Sequence, residues 1–288
     1  MVPPEVGRSP ETIWLEVEGL RIHCLSAGTR GSPVLLLHGG GIDSASFSYK
    51  YAIRPLASEH RVFAPDWPGY GQSDKPDIEY TMEFYVGFLE QLMDALELGH
   101  ASLVGLSLGG GAALGLALRS PERVEKLVLV DSYGLGNEVP LGRLGYLLVR
   151  APLINDLSYA LLRRSRRMVR WSLYNLVHDR QVVNEDMVEE TYRLLDQPQA
   201  GRAFRSFQKN EVEWSGLRTD FAGRLHEIST PTLIVHGADD SVVPVKWARR
   251  AHERLVSSEL LVFPDCGHLL PRERPEEFNR AVGRFLAP

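Results

Sequence analysis

Leu103-Val104-Gly105-Leu106-Ser107-Leu108-Gly109-Gly110-Gly111 is the stretch on which the fold turns. Ser102 to Leu106 is an unbroken apolar run after its first residue, of the kind that forms a strand buried on both faces. From Leu108 to Leu118 the spacing of apolar residues becomes helical. Between the two, Gly105-Leu106-Ser107-Leu108-Gly109 fits the pattern G-x-S-x-G. Glycines flank the serine because a turn this tight would drive larger side chains into the neighbouring strand and helix. The hydroxyl of Ser107 is then pushed out at the carboxyl edge of a sheet, with a helix amino terminus beneath it. A serine in an ordinary glycine-rich turn, or in a phosphate-binding loop, is the plainer reading, and the strand-turn-helix setting weighs against it.

Outward from this point the chain alternates. Two short runs, Ile13 to Val17 and Leu20 to Leu25, flank Glu18-Gly19 and predict an antiparallel hairpin. Buried strands follow at Val34 to Leu37, Arg61 to Pro65, Ser102 to Leu106, Val124 to Val130, Thr232 to Val235 and Leu260 to Phe263. Helical periodicity occupies Met82 to Leu98, Leu108 to Leu118, Val245 to Leu255 and Glu276 to Leu286. This predicts an α/β fold: a mostly parallel sheet with an antiparallel start and helices on both faces. The alternation stops between Tyr133 and about Gly223, where Leu, Arg, Tyr and Trp recur at helical spacings. The segment 135–223 therefore reads as a helical cap, with 1–134 and 224–288 forming one core. Only two strands follow the insertion, too few for a separate domain.

The composition excludes several classes of function. The 288 residues carry 32 basic and 37 acidic side chains, a net charge of −5, so no positive field invites nucleic acid or anionic lipid. No run of 18 apolar residues predicts a membrane span, and Met1 to Arg8 lack a leader pattern. Cys24 and Cys266 are too few for a disulfide framework and fit a reducing compartment, so a cytoplasmic protein acting on a small molecule is expected. The nine histidines are scattered without metal-ligand spacing, and neither a metal nor another cofactor is expected.

A serine hydroxyl needs a base, and the base an orienting carboxylate. The last strand runs into Pro264-Asp265-Cys266-Gly267-His268, and the one before it into His236-Gly237-Ala238-Asp239-Asp240. Both loops follow carboxyl strand ends, and the chain order serine, acid, histidine is that of one hydrolase architecture. Asp131, at the end of an earlier strand, is a rival acid.

With His38-Gly39-Gly40-Gly41, Asp66-Trp67-Pro68-Gly69-Tyr70-Gly71-Gln72-Ser73, Gly237-Ala238-Asp239-Asp240, Val243-Pro244 and Gly267-His268 added to the serine turn, the chain resembles the α/β-hydrolases over nearly its whole length. The resemblance implies a serine hydrolase with Ser107 as nucleophile and His268 as base. The family's acid typically stands three residues after the glycine, which selects Asp240 over Asp239. The oxyanion hole falls to the backbone N–H groups of Leu108 and Gly40. His38 reads as a brace for the glycine loop. The resemblance implies acyl transfer to water, with a carboxylic ester as the leading substrate class. A carbon-carbon bond hydrolase of the meta-cleavage product type is the alternative. Its members typically have Asn before the nucleophile and Trp after the catalytic histidine, where this chain has Leu106 and Leu269. A lactonase would need the same groups, and a ligand receptor with slow turnover is the non-enzymatic reading. Among the cap arginines, Arg163, Arg167 and Arg170 are spaced to share a helix face, and a pocket-facing member could hold a substrate carboxylate.

Overall fold

The computed structural model of the protein describes residues 9–139 and 142–287, the side chains of 152–156 excepted. Met1 to Arg8, where the sequence shows no leader pattern, lie outside the described residues. Eight strands form one sheet: β1 (Glu11–Val17), β2 (Leu20–Ala27), β3 (Pro33–Leu37), β4 (Arg61–Pro65), β5 (Ala101–Leu106) and β6 (Val124–Val130) come first. A small hairpin, β7 (Val212–Glu213) with β8 (Gly216–Leu217), stands apart from them, and β9 (Thr232–Gly237) and β10 (Ser258–Phe263) complete the sheet. The spatial order is β1-β2-β4-β3-β5-β6-β9-β10. β2 runs antiparallel to both β1 and β4, and the remaining pairs are parallel. The mostly parallel sheet with an antiparallel start is thus present.

The central strands read as continuous apolar runs because both faces are covered. Leu35 and Leu37 of β3, Leu103 of β5 and Leu127 and Leu129 of β6 pack to one side. Val34, Leu36, Val104, Val128 and Val130 pack to the other. The first side is closed by α3 (Met82–Ala95), α4 (Leu108–Arg119) and α10 (Val245–Arg254), through residues such as Leu89, Leu116 and Trp247. The second is closed by α1 (Ala45–Ser48), α2 (Ile53–Leu56) and α12 (Pro275–Leu286), which bring in Phe47, Ile53, Phe278 and Val282. Cys24 and Cys266 are buried free thiols, Cys24 pushed up to about 12 by burial.

Between β6 and β9 lie α5 (Arg143–Val149), α6 (Pro152–Arg164), α7 (Arg166–Leu173), α8 (Glu185–Asp196) and α9 (Arg202–Glu211). The expected shared face of Arg163, Arg167 and Arg170 does not exist. Ser165 leaves the helical conformation (φ −149°, ψ 113°), ends α6 and caps α7 by accepting the Met168 N–H. Arg163 therefore belongs to one helix, and Arg167 and Arg170 to the next. Leu157 and Leu161 are 61% and 44% exposed, whereas Leu162 turns inward. Among the described residues no helix is long and apolar enough to cross a membrane.

The stretch 175–179, between α7 and α8, is stitched to the loops that follow β9 and β10. The Leu176 carbonyl accepts the N–H groups of both His268 (2.8 Å) and Leu269 (3.1 Å). The Ser241 hydroxyl donates to the Asn175 carbonyl at 2.6 Å. Glu273, at the end of α11 (Leu270–Glu273), accepts from the N–H groups of His178, Asp179 and Gly267.

Candidate active site

Ser107 stands between β5 and α4 with φ +52° and ψ −114°, a conformation an L residue adopts only under constraint. The constraint is visible. Its N–H donates to the Val130 carbonyl, and its own carbonyl accepts the N–H groups of Gly111 and Tyr133. The flanking glycines are sterically required: a Cβ on Gly105 would lie 2.4 Å from the Gly109 carbonyl oxygen, and one on Gly109 would lie 2.1 Å from that of Leu37.

Asp240 and His268 come from the loops after β9 and β10 and meet at 2.7 Å, Asp240 Oδ2 to His268 Nδ1. The other Asp240 oxygen accepts the N–H groups of Val242 (2.7 Å) and Val243 (3.0 Å). Burial pushes the Asp240 carboxyl up, but His268 and these N–H groups outweigh burial and hold it below the usual carboxylate range. Asp239 points elsewhere, exposed, with Oδ2 3.2 Å from Nδ1 of His178.

Asp131, the rival acid, is fully buried beside this pair but does not reach His268 within hydrogen-bond distance. Its Oδ1 accepts the Gly237 N–H at 2.8 Å, and its Oδ2 has no partner among the described residues. Burial first, and then the charge of Asp240, raise its carboxyl well above the ordinary value. His236 lies between the two acids, its Nε2–H donating to the Val243 carbonyl. Burial holds His236 below the usual histidine value. Asp131, His236 and Asp240 offer three close ligand atoms, but each is already engaged in a hydrogen bond, with Gly237, Val243 and His268 respectively.

The loop after β3 faces the serine. Gly39 donates its N–H to Asp43 at 2.9 Å. Neither the Gly40 nor the Leu108 N–H has an acceptor among the described residues, and both residues line the same cavity as Ser107. His38 braces this loop from behind, Nδ1 to the Gly39 carbonyl at 2.8 Å while Nε2 accepts the Trp67 N–H at 3.0 Å. Both ring nitrogens are consumed in holding backbone.

Ser107, His268, Gly40 and Leu108 open onto one cavity of about 530 Å³. Its other walls come from the inserted helices, including Tyr159, Leu162, Leu173, Leu195, Phe204 and Phe207. Among the described residues no lysine or arginine lines it, and its acidic members are Asp43 and Glu211. The three arginines of the inserted helices are engaged elsewhere or exposed: Arg163 donates to the carbonyls of Leu195 and Ala200, Arg170 to the Val183 carbonyl and Glu185, and Arg167 is exposed. Glu211 is the residue the sequence does not single out. One acid on an amphipathic helix carries no spacing signal, and its partners Met82 and Tyr133 are distant in sequence.

Comparison with known proteins adds to this geometry. A family model described as the alpha/beta hydrolase fold matches residues 32–275. The chain is 33% identical to 2-hydroxy-6-oxo-2,4-heptadienoate hydrolase of Pseudomonas putida, covering 99% of this chain and 98% of that protein. It is 31% identical to 2-hydroxymuconate semialdehyde hydrolase of a Pseudomonas species, covering 99% and 95%. A solved meta-cleavage product hydrolase from Pseudomonas fluorescens superposes with a TM-score of 0.80 at 30% identity, over 95% of this chain and 96% of the other.

Proposed function

The chain belongs to the alpha/beta hydrolase family, and from that premise we propose that it cleaves carboxylic esters of small to medium, non-anionic substrates through an acyl-enzyme. Ser107 attacks the ester carbonyl while His268 takes its proton, and Asp240 orients the imidazole and offsets the charge that forms on it. The N–H groups of Gly40 and Leu108 receive the oxyanion. Collapse breaks the bond to the alcohol, which leaves with the proton from His268. Water, deprotonated by His268, then attacks the acyl-serine, and the acid departs. The inserted helices act as a cap that shapes the pocket and excludes water. The helical cap of 135–223 over the core of 1–134 and 224–288 is part of this reading.

The observation that carries the ester assignment is the lining of the cavity. A substrate with a terminal carboxylate would be buried in a mostly apolar cavity, with two acidic side chains and, among the described residues, no arginine or lysine to pair with it. An unpaired buried anion costs several kcal/mol. Leu106 and Leu269, beside the nucleophile and the base, are buried apolar side chains that offer no hydrogen bond. A second reading, carbon-carbon bond cleavage of a ring-fission dienoate, is favoured by relatives of that activity at 31–33% identity. A lactone would suit the same groups as an ester. The test is kcat/KM for medium-chain p-nitrophenyl esters against a ring-fission dienoate on one preparation. Esters are expected to lead by at least about tenfold, or ~1.4 kcal/mol. Rapid bleaching of the dienoate with negligible ester turnover refutes the assignment.

A further inference from the structure

One wall of the cavity is a single face of α9. Phe204, Phe207, Gln208 and Glu211, at helical spacing, all line it. Phe204 marks the reacting end, since a Cβ on Gly40 would lie 2.7 Å from its ring. Glu211 stands seven residues further on, about 10 Å from Phe204 along the helix axis at ~1.5 Å per residue.

Glu211 is 2% exposed. Its Oε1 accepts the Met82 N–H at 2.9 Å, and its Oε2 accepts the Tyr133 hydroxyl at 3.1 Å. Burial, and then the neighbouring carboxylate, raise the Tyr133 phenol far above its ordinary value, so Tyr133 acts as a donor here. Both partners are neutral, and among the described residues no lysine, arginine or histidine forms an ion pair with Glu211. Each carboxylate oxygen has two lone pairs, so acceptor capacity remains. One turn earlier, the Gln208 side chain lines the same wall and makes no hydrogen bond among the described residues. A buried carboxylate held only by neutral donors, beside an idle amide, is a site short of a donor.

We propose that Glu211, with Gln208, binds a hydrogen-bond donor carried by the substrate away from the carbonyl that Ser107 attacks: a hydroxyl or, more strongly, a protonated amine. This rests on the ester reading for the position of the carbonyl. The site selects by charge, because a carboxylate at the same place would meet Glu211 and, among the described residues, no lysine or arginine.

The test uses esters of equal length ending in methyl, hydroxyl, ammonium or carboxylate, with the wild type and Glu211→Gln. Gln keeps an oxygen for the Met82 N–H, and melting temperature reports whether the fold is retained. In the wild type, kcat/KM for the ammonium-ended ester is expected to exceed that of the methyl-ended one at least tenfold, with the carboxylate-ended ester lowest. Glu211→Gln is expected to lower the ammonium-to-methyl ratio at least tenfold, and Gln208→Leu to lower the hydroxyl-to-methyl ratio. If no ester is hydrolysed, the ester reading fails on its own. Calorimetry with Ser107→Ala then decides the present inference, by comparing an ω-amino alcohol with an alkanol of equal length and repeating the comparison after adding Glu211→Gln. Tighter binding of the amine, lost with Glu211→Gln, upholds the site. Equal values across the four termini, or a preference that survives Glu211→Gln, overturns it.

Discussion

Replacing Asp240 by Asn removes one charge and changes no heavy-atom count, which makes it the cleanest probe of the charge relation at the centre of the site. The carboxylate lies 2.7 Å from His268 Nδ1, so the charge centres are about 4 Å apart. When His268 takes the serine proton, that pair is worth about 4 kcal/mol at an effective dielectric of ~20. At ~1.36 kcal/mol per decade this is roughly 10³ in kcat. The amide adds a second fault. Oδ1 of Asp240 is committed to the Val242 and Val243 N–H groups, so an Asn would keep its oxygen there and turn its NH₂ toward Nδ1. The imidazole proton then moves to Nε2, where it faces the serine instead of accepting from it, and related triads lose up to about 10⁴. The assay is kcat for the best p-nitrophenyl ester near neutral pH, with Asp131→Asn as the companion. The Asp131 Oδ1 accepts a backbone N–H, an arrangement Asn reproduces, so less than about threefold is expected there. Retention of more than a tenth of kcat by Asp240→Asn, with silencing by Asp131→Asn, would refute this reasoning and move the acid to the strand end of β6.

Ser107→Ala should abolish labelling by a fluorophosphonate probe and lower kcat by several powers of ten while leaving ligand binding measurable; labelling that persists excludes Ser107 as the nucleophile. Gly109→Ala places a Cβ 2.1 Å from the Leu37 carbonyl oxygen, so a loss of about 1–3 kcal/mol is expected, read as a fall in melting temperature of roughly 2–4 °C per kcal/mol; an unchanged melting temperature contradicts the packing. Asp131 has a raised folded-state pKa, so the folded protein binds the extra proton and stability is lost as pH climbs from about 3.9 toward that value. Asp131→Asn should therefore gain stability relative to the wild type as pH rises above about 4, and a difference in melting temperature that stays flat with pH counts against a raised Asp131 carboxyl.

How far the sequence could be read depended on whether a constraint was local. Gly105 and Gly109 are dictated by atoms of the turn itself and of the adjoining strand, so strand, turn and helix were legible from nine residues. Asp240 and His268 could be placed at strand ends because a parallel sheet brings all its carboxyl ends to one edge. The face of Arg163, Arg167 and Arg170 was misread because Ser165 can sit within a helix or cap one, and periodicity alone does not decide which. Glu211 was invisible because its meaning lies in Met82 and Tyr133, contacts separated by 129 and 78 residues. The pocket belongs to the same class, since Phe204 faces Gly40 only through the packing of the inserted helices.

The double hydrogen bond to the Leu176 carbonyl has a bearing on how such a protein can be altered. The Leu176 carbonyl meets His268 and Leu269 through main-chain atoms on both sides, while the side chains of Glu273 and Ser241 hold the backbone on either side of it. Its one steric demand falls on the other partner: a Cβ on Gly267 would lie 2.8 Å from the Leu176 oxygen. On the proposed cap reading, a transplanted cap would have to deliver the Leu176 carbonyl to that point together with the N–H groups that Glu273 accepts and the carbonyl that Ser241 reaches. This seam holds the histidine loop, and the amides of His268 and Leu269 should be among the slowest-exchanging of that loop.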